Sequence, residues 1–132
     1  MARKAVVDAV EARLTALWTE CPVIGMNTVG EPPADGSDYL LVQYPVADDE
    51  RIAVNQGLYR ETGGIRFVLH MQRGFGIAAA LARSEALTAL FRDQSFGGVI
   101  TQTPSSAFLD NSNEDGNYLV LSLVVPFTHN YV

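Results

Sequence analysis

One segment of the chain, Gly74 to Ala79, has residue types and spacing that match a known binding motif. Its G-x-G-x-x-A pattern follows a predicted strand and opens a predicted helix, which is the layout of a dinucleotide-binding loop. The preceding strand, however, carries Arg66, His70 and Gln72 among its apolar residues, whereas a Rossmann strand is buried on both faces. The acidic residue expected about twenty positions later could only be Asp93, near a helix end. We therefore interpret the glycines as a tight turn.

A second segment, Asn111 to Gly116, resembles the first half of an EF-hand calcium loop, with oxygen-bearing side chains at alternate positions. The position that needs a bidentate glutamate is occupied by Ser122, and a strand follows where a helix is required. We interpret this stretch as an exposed hairpin tip and expect no metal there.

The remaining reactive residues form no catalytic set. His70 and His129 are the two histidines, and Cys21 is the one cysteine, so no intrachain disulfide can form. There is no Gly-x-Ser-x-Gly elbow, no HExxH pair and no CxxC pair. The sequence therefore predicts a protein that is not an enzyme and has no catalytic residues, no cofactor and no metal.

The composition favours a single compact domain with an acidic net charge. The chain has 132 residues, of which 48% are hydrophobic, and its nine basic and fifteen acidic residues give a net charge of −6. A basic surface for gripping phosphates is missing, so stable nucleic-acid binding is disfavoured, although DNA could pass such a surface without sticking. Charged residues interrupt the N-terminal apolar run too early for a signal peptide, and we expect a cytoplasmic protein.

Two helices are predicted from apolar residues that recur at helical spacing. The first covers Val6 to Trp18 and ends before Pro22, because a residue that precedes proline is disfavoured in helical conformation. The second covers Ile77 to Phe91. Its predicted buried face contains Ile77, Ala80, Leu81, Leu87, Leu90 and Phe91.

Alternating apolar residues predict strands at Tyr39–Tyr44, Ile65–Gln72 and Tyr118–Thr128, with Pro45 marking the edge or the end of the first. Shorter strand segments are predicted at 51–59, 99–101 and 107–109, with a turn at 48–50 and a break at 62–64. The stretch 22–38 is expected either to pack as a functional loop or to contain a short strand at 23–28. The predicted fold class is α+β: a mostly antiparallel β-sheet with two α-helices packed against it, in a single domain covering residues 1–132. Its core is expected to contain Phe67, Leu69, Leu81 and Leu121.

The order and length of these elements resemble the tail terminator, or tail-completion, proteins of long-tailed bacteriophages. The segments that carry the resemblance run through nearly the whole chain: Val6–Trp18, Glu31–Pro33, Tyr39–Tyr44, Gly57–Glu61, Ile65–Met71, Gly74–Phe91 and Asp115–Phe127.

The resemblance implies a small structural protein of the virion tail, made in the host cytoplasm, that assembles as a hexameric ring on the last ring of the tail tube. Such a ring stops tube polymerisation, joins the head-completion or connector proteins, and lets DNA pass through its bore without specific binding. Two alternatives stay open: another head–tail connector or neck component, and a small nucleotide- or ligand-binding enzyme, which only the glycine loop supports.

Candidate interface residues follow from exposure rather than from a motif. The segments Ala47–Glu61 and Asp110–Asn117 are predicted to be exposed connectors, and loops on a rigid scaffold often carry contacts. Within the first we select Tyr59 and Arg60, because both residue types are enriched among interface anchors. Arg66, His70 and Gln72 are predicted to form a solvated or subunit-facing strip.

Overall fold

Two long helices and a seven-stranded sheet make up the part of the chain that the computed structural model describes, residues 1–25, 37–54, 57–72, 74, 76–109 and 118–132. In chain order the elements are α1 (Lys4–Leu17), β1 (Val23–Ile24), β2 (Tyr39–Arg51), β3 (Tyr59–Gln72), α2 (Ala78–Phe91), β4 (Ser95–Phe96), β5 (Val99–Thr101), β6 (Phe108–Leu109) and β7 (Tyr118–Tyr131).

The centre of the sheet is the antiparallel pair β3–β7. The two strands pair over their full length of 14 residues, from Tyr59 opposite Tyr131 to Gln72 opposite Tyr118, without a register shift. The strand order is β1-β2-β3-β7-β5-β4, and β6 pairs separately with β7. Among the described strands, only β1 runs parallel to its neighbour, β2. The predicted α+β class with a mostly antiparallel sheet is therefore confirmed.

The hydrophobic core lies between one face of this sheet and both helices. Because side chains alternate along a strand, the odd-numbered residues of β3 and β7 point to the same face. The helices contribute their own buried residues to that face, and the rings of Phe67 on β3 and Phe91 on α2 lie 4.9 Å apart. The buried members from the two central strands and the helices are Ile65, Phe67, Leu69, Met71, Leu121, Leu123, Val125, Phe127, Val6, Val10, Leu14, Trp18, Ala80, Leu87 and Phe91.

The predicted break and turn between Pro45 and Gly64 are wrong. β2 continues past Pro45 to Arg51, because the register between β2 and β3 shifts between Gln43 and Val46, and a bulge tolerates proline. The chain reverses after Arg51, where the Ile52 amide donates to the Leu58 carbonyl at 2.9 Å. Gly63 lies inside β3, where a β-carbon would collide with the Val46 carbonyl oxygen. Glycine there permits close strand approach rather than a turn.

The predicted buried face of the second helix is partly wrong. Leu81 is 42% exposed and Ile77 is 49% exposed, whereas Ser84 is buried and donates to the Leu81 carbonyl. The reason is that α2 has apolar residues around most of its circumference, so the spacing of apolar residues does not select one face. Leu17 on α1 is likewise exposed, at 49%, while its neighbour Trp18 is buried.

Some predictions fall outside the described residues. The strand predicted within 23–28 begins as β1, but residues 26–28 lie outside the described part, as do the predicted hairpin tip at 110–117 and Phe75 of the glycine loop. Short strands at Val99–Thr101 and Phe108–Leu109 match the predicted ones closely. No helix in the described ranges is long and apolar enough to cross a membrane.

The two leucines of α2 give a matched test of the core. Leu87→Ala should lower the free energy of unfolding by about 2–5 kcal/mol, because it removes a fully buried side chain and leaves a cavity. Leu81→Ala, at an exposed position, should cost less than about 1 kcal/mol. Urea unfolding followed by circular dichroism would measure both. Equal losses for the two variants would mean that the helix packs on a different face.

Candidate interface surfaces

The five candidate interface residues all lie on β3, but the strand divides them into two groups. Tyr59 and Arg60 lie at its first end, and Arg66, His70 and Gln72 lie towards its other end. At about 3.3 Å per residue, Tyr59 and Arg66 are roughly 23 Å apart along the strand. The even-numbered members share the face opposite the core, whereas Tyr59 lies on the core-side face beyond the helices. The structure therefore offers two separate surfaces.

Tyr59 belongs to an aromatic stack at the first end of β3. Its ring stacks on that of Tyr131, with centroids 5.5 Å apart, and the Arg3 guanidinium lies 3.9 Å above the Tyr131 ring. The Tyr131 hydroxyl donates to Asp49 at 3.0 Å, which also joins β7 to β2. Tyr59 is therefore half-buried and held in place on a rigid surface, rather than carried by a loose connector.

Arg60 lies on the other face at the same end and is fixed by its neighbours. Its Nε donates to the Asn130 side chain at 3.1 Å, and the strand register places Glu50 directly opposite. Residues 47–51 and 59–61 thus belong to β2 and β3 rather than to a connector, although residues 48–52 are exposed as predicted. A guanidinium held in one geometry loses less conformational freedom when it binds a partner.

Glu61 differs most clearly from the prediction that the segment Ala47–Glu61 is exposed. It is only 1% exposed, and both of its carboxylate oxygens accept the backbone amide of Arg3 at 3.2 Å. Arg3 is the N-cap residue of α1, where backbone amides lack partners within the helix and the helix dipole favours negative charge. Glu61 therefore ties the first helix to the central strand, a role that the sequence pattern did not indicate.

His70 is buried, which rules out the solvated alternative that was predicted for the strip of Arg66, His70 and Gln72. It is 9% exposed, its ring stacks on Tyr39 at a centroid distance of 4.2 Å, and Tyr118 meets it edge-on at 5.8 Å. Alternation placed His70 correctly on the face opposite the core, but the two neighbouring strands cover it with aromatic rings. Arg66 is half-buried beside Ser122, and Gln72 is half-buried at the strand end.

An ion-pair cluster lies next to the glycine loop. The Arg83 guanidinium donates to Asp38 at 2.6 Å, and Asp38 also accepts the Gln72 backbone amide at 2.7 Å. These residues border a cleft of about 210 Å³ that also touches Gly76. The Asp38 carboxylate pairs with the Arg83 guanidinium and would repel a phosphate, so the cleft does not favour nucleotide binding. Spacing alone could not reveal this pair, because its members are 45 residues apart.

A cavity of about 450 Å³ that the sequence pattern did not indicate lies between α1, β1 and β2. Trp18 and Tyr44 line it and are 6% and 4% exposed. Within the described part of the chain, the Tyr44 hydroxyl has no hydrogen-bond partner. Burial raises the pKa of Tyr44, so the phenol stays protonated and able to donate. The side chains of Glu11 and Thr15 also border the cavity.

Among the residues that the structure describes, no group of three histidine, cysteine, aspartate or glutamate side chains could hold a metal ion. The features that the structure brings together are packed aromatic rings, paired charges and buried donors, which suit contacts with other molecules.

Glu61→Gln tests the link between the first helix and the sheet. We expect a loss of about 1–3 kcal/mol in unfolding free energy, because the buried carboxylate is replaced by an amide with unsatisfied donors. Glu85→Gln, at an exposed position on α2, is the matched control and should change stability by less than about 0.5 kcal/mol. Indistinguishable thermal melts for the two variants would remove Glu61 from this role.

The labelling rate of the Cys21 thiol tests whether the wall of the cavity is buried. Burial raises the pKa of its thiol, an effect that the Trp18 indole partly opposes. Because the thiolate is the reactive form, a higher pKa leaves less of it at pH 8. Labelling with a chromogenic disulfide at pH 8 should therefore be several-fold slower in the folded protein than in urea. Equal or faster labelling of the folded protein would contradict the burial of this thiol.

Comparisons with known proteins agree with a structural role. A search of curated proteins finds no match. A solved structure, 20% identical, superposes with a TM-score of 0.62 and is matched over 100% of this chain and 98% of its own, a likeness that shows the fold alone. The family model of the phage tail terminator protein matches residues 5–127, which include α2, all of α1 except Lys4, and the sheet except the end of β7. The chain belongs to the phage tail terminator protein family.

Proposed function

We propose that this protein forms a ring that caps the phage tail tube, ends tube polymerisation and joins the tail to head-completion proteins. The observation that carries the proposal is the family match over residues 5–127, which spans the fold rather than one motif. The protein would act as a component of the virion tail, assembled in the host cytoplasm, and not as an enzyme.

Two separate exposed apolar surfaces support assembly with other copies. One is the α2 patch, formed by Ile77 and Leu81, which lie one helical turn apart and are 49% and 42% exposed. The other is the hairpin of β2 and β3, where the Val46 side chain on β2 is 58% exposed and the Val54 side chain beyond β2 is 85% exposed. Exposed apolar surface commonly marks a contact site. Two different patches on one subunit are what a heterologous contact needs, and such contacts close into rings.

The number of subunits and the bore are proposed from the family resemblance. We propose a hexamer through which DNA passes without specific binding, and the net charge of −6 supports a bore that repels phosphates. Free subunits need not associate in dilute solution, because a weak ring contact can be completed by binding to the end of the tube.

The five candidate residues receive roles within this proposal. Tyr59 and Arg60 would contact the tube or a neighbouring subunit, since both are held in fixed orientations at one end of the sheet. The strip of Arg66, His70 and Gln72 would face a neighbouring subunit mainly through its half-buried members, Arg66 and Gln72. His70 would contribute indirectly, because its ring packs against the rings of Tyr39 and Tyr118 and holds them in place.

The proposal is tested by tube growth. Purified tail-tube subunits are polymerised with and without the protein, and tube lengths are measured over time by negative-stain electron microscopy. We expect lengths to stop increasing after the protein is added, with extra density at one tube end. Tubes that keep growing at the same rate with bare ends would contradict the proposal.

Arg60→Ala should weaken capping at least several-fold without unfolding the subunit, because it removes an exposed, oriented guanidinium. Lys4→Ala removes the same charge from an exposed side chain whose ion pair, among the described residues, is with Asp8 on its own helix, and should cap like the unchanged protein. The readout is the protein concentration that halves tube growth. Equal concentrations for both variants would remove Arg60 from the interface.

A further inference from the structure

The chain that follows β2 presents one apolar side chain on a fixed backbone. Val54 is 85% exposed. The Arg51 guanidinium donates to the backbone carbonyls of Ala53 and Val54, at 3.0 and 2.7 Å, and so holds this stretch in place. Residues 51–54 are here called the tip. Because the backbone of the tip is already ordered, little conformational freedom is lost when the Val54 side chain binds a partner.

A groove of about 510 Å³ lies along the outer side of α2, between two fixed walls. One wall is formed by residues of α2 and its end, from Leu81 to Arg92, and the other by the segment 104–107. The Ser105 amide donates to the Val124 carbonyl at 2.8 Å, and the Val124 amide donates to the Ser105 hydroxyl oxygen at 2.9 Å. These bonds attach the second wall to β7. The groove, here called the α2 groove, is therefore preformed.

The chemistry of the α2 groove suits a turn of backbone that carries one apolar side chain. Leu81, which is 42% exposed, and Ala107 supply apolar surface. Thr88 and Ser106 add hydroxyl groups, which can both donate and accept hydrogen bonds. A valine side chain gains from the apolar surface, and the backbone groups of a turn gain from the hydroxyls. The tip carries both kinds of group.

The charges at the two surfaces permit contact between copies of this acidic chain. Asp48, Asp49 and Glu50 lie on β2 just before the tip, and an acidic surface would repel them. The lining of the α2 groove contains one exposed carboxylate, Glu85, and one exposed guanidinium, Arg92. These two charges offset each other, so the α2 groove can receive the acidic hairpin of a second copy.

The tip and the α2 groove lie on different sides of the subunit. The tip is part of the connection from β2 to β3, whereas the segment 104–107 runs along the side of β7 that faces away from β3. The central strands β3 and β7 therefore separate the two surfaces. A contact between two different surfaces is heterologous, and it can repeat from subunit to subunit until a ring closes.

The size of this contact favours a ring over a free dimer. A stable interface buries roughly 800 Å² on each partner, more than a tip of four residues can supply. One such contact is therefore weak, and it becomes effective when it is repeated around a ring or completed at the end of the tube. The chemistry, the charges and the size together favour a second copy of this chain as the occupant.

We infer that the tip of each subunit binds in the α2 groove of the next subunit. The Val54 side chain packs against Leu81, and the backbone groups of the tip form hydrogen bonds with the hydroxyls of Thr88 and Ser106. This inference names the contact within the proposed ring and rests on that proposed function.

Disulfide cross-linking tests the contact directly. In a Cys21→Ser background, one protein carries Val54→Cys and a second carries Leu81→Cys, both at exposed positions where the fold should tolerate the change. The two proteins are mixed at tube ends, oxidised and separated by non-reducing electrophoresis. We expect a cross-linked dimer in the mixture and about tenfold less from either protein alone. A protein with both substitutions should give a ladder of covalent oligomers.

The control replaces the groove partner by Ala12→Cys, at an exposed position on α1. Equal cross-linking of Val54→Cys with Ala12→Cys, or no dimer with Leu81→Cys, would overturn the inference. Dimers from Val54→Cys alone would also overturn it, because they would show tips that meet tips. A benzophenone attached to the same cysteine detects another occupant. Its capture of the tube subunit instead of the α2 groove would equally contradict the inference.

A charge exchange gives a second measurement. Val54→Asp or Leu81→Lys alone should raise the concentration that halves tube growth by about tenfold or more, because each places an unpaired charge in an apolar contact. Both together should restore most of the capping, since the two charges then face each other across the contact. Ala12→Asp, on α1, is the control and should cap like the unchanged protein. A double variant no better than the single variants would overturn the inference.

The two measurements separate this inference from the proposed function. If no dimer forms between tip and groove but the unchanged protein still caps tubes, the contact is wrong and the proposed function stands. If the dimer forms but tubes grow unchecked with the unchanged protein, the contact stands and the proposed function fails.

Discussion

The structure depends on one interaction, the uninterrupted pairing of β3 with β7. Fourteen residues of each strand are aligned without a bulge, so every odd-numbered side chain from Ile65 to Met71 meets its partner on the same face. A shift of one residue would turn that entire set towards solvent. The fixed register also places Glu61 beneath the start of α1, and through that carboxylate the first helix is attached to the sheet.

The same pairing determines what remains for contacts with other molecules. Because the core covers one face of β3–β7, the described residues that remain for contacts lie on the opposite face, at the strand ends, on the outer sides of the helices and along the edge of β2. Each holds side chains in defined orientations, for example Tyr59 stacked on Tyr131 and Arg60 bonded to Asn130. The chain belongs to the phage tail terminator family, and its rigid surfaces surround a hydrophobic core. Both facts are consistent with a structural role.

Long strands with strict alternation could be predicted from the sequence, and the failures have definite physical causes. Ile65–Gln72 and Tyr118–Thr128 were placed correctly because their period of two is uninterrupted. Pro45 was consistent with either the edge or the end of a strand, and β2 continues past it because a bulge accommodates proline. The exposed position of Leu81 was missed because α2 has apolar residues around most of its circumference. The candidate surfaces were less predictable. His70 is covered by rings from two other strands, and the cavity beside Tyr44 depends on contacts between distant segments.

The central claim is that this domain acts as a ring at the end of the tail tube. A cryo-electron microscopy reconstruction of tube ends bound to the protein tests it most directly. The account predicts a closed ring of six copies of this domain around an open bore, in which each subunit meets its neighbour through two different patches. A single copy at the tube end, or copies spread along the tube wall with no closed ring, would contradict it.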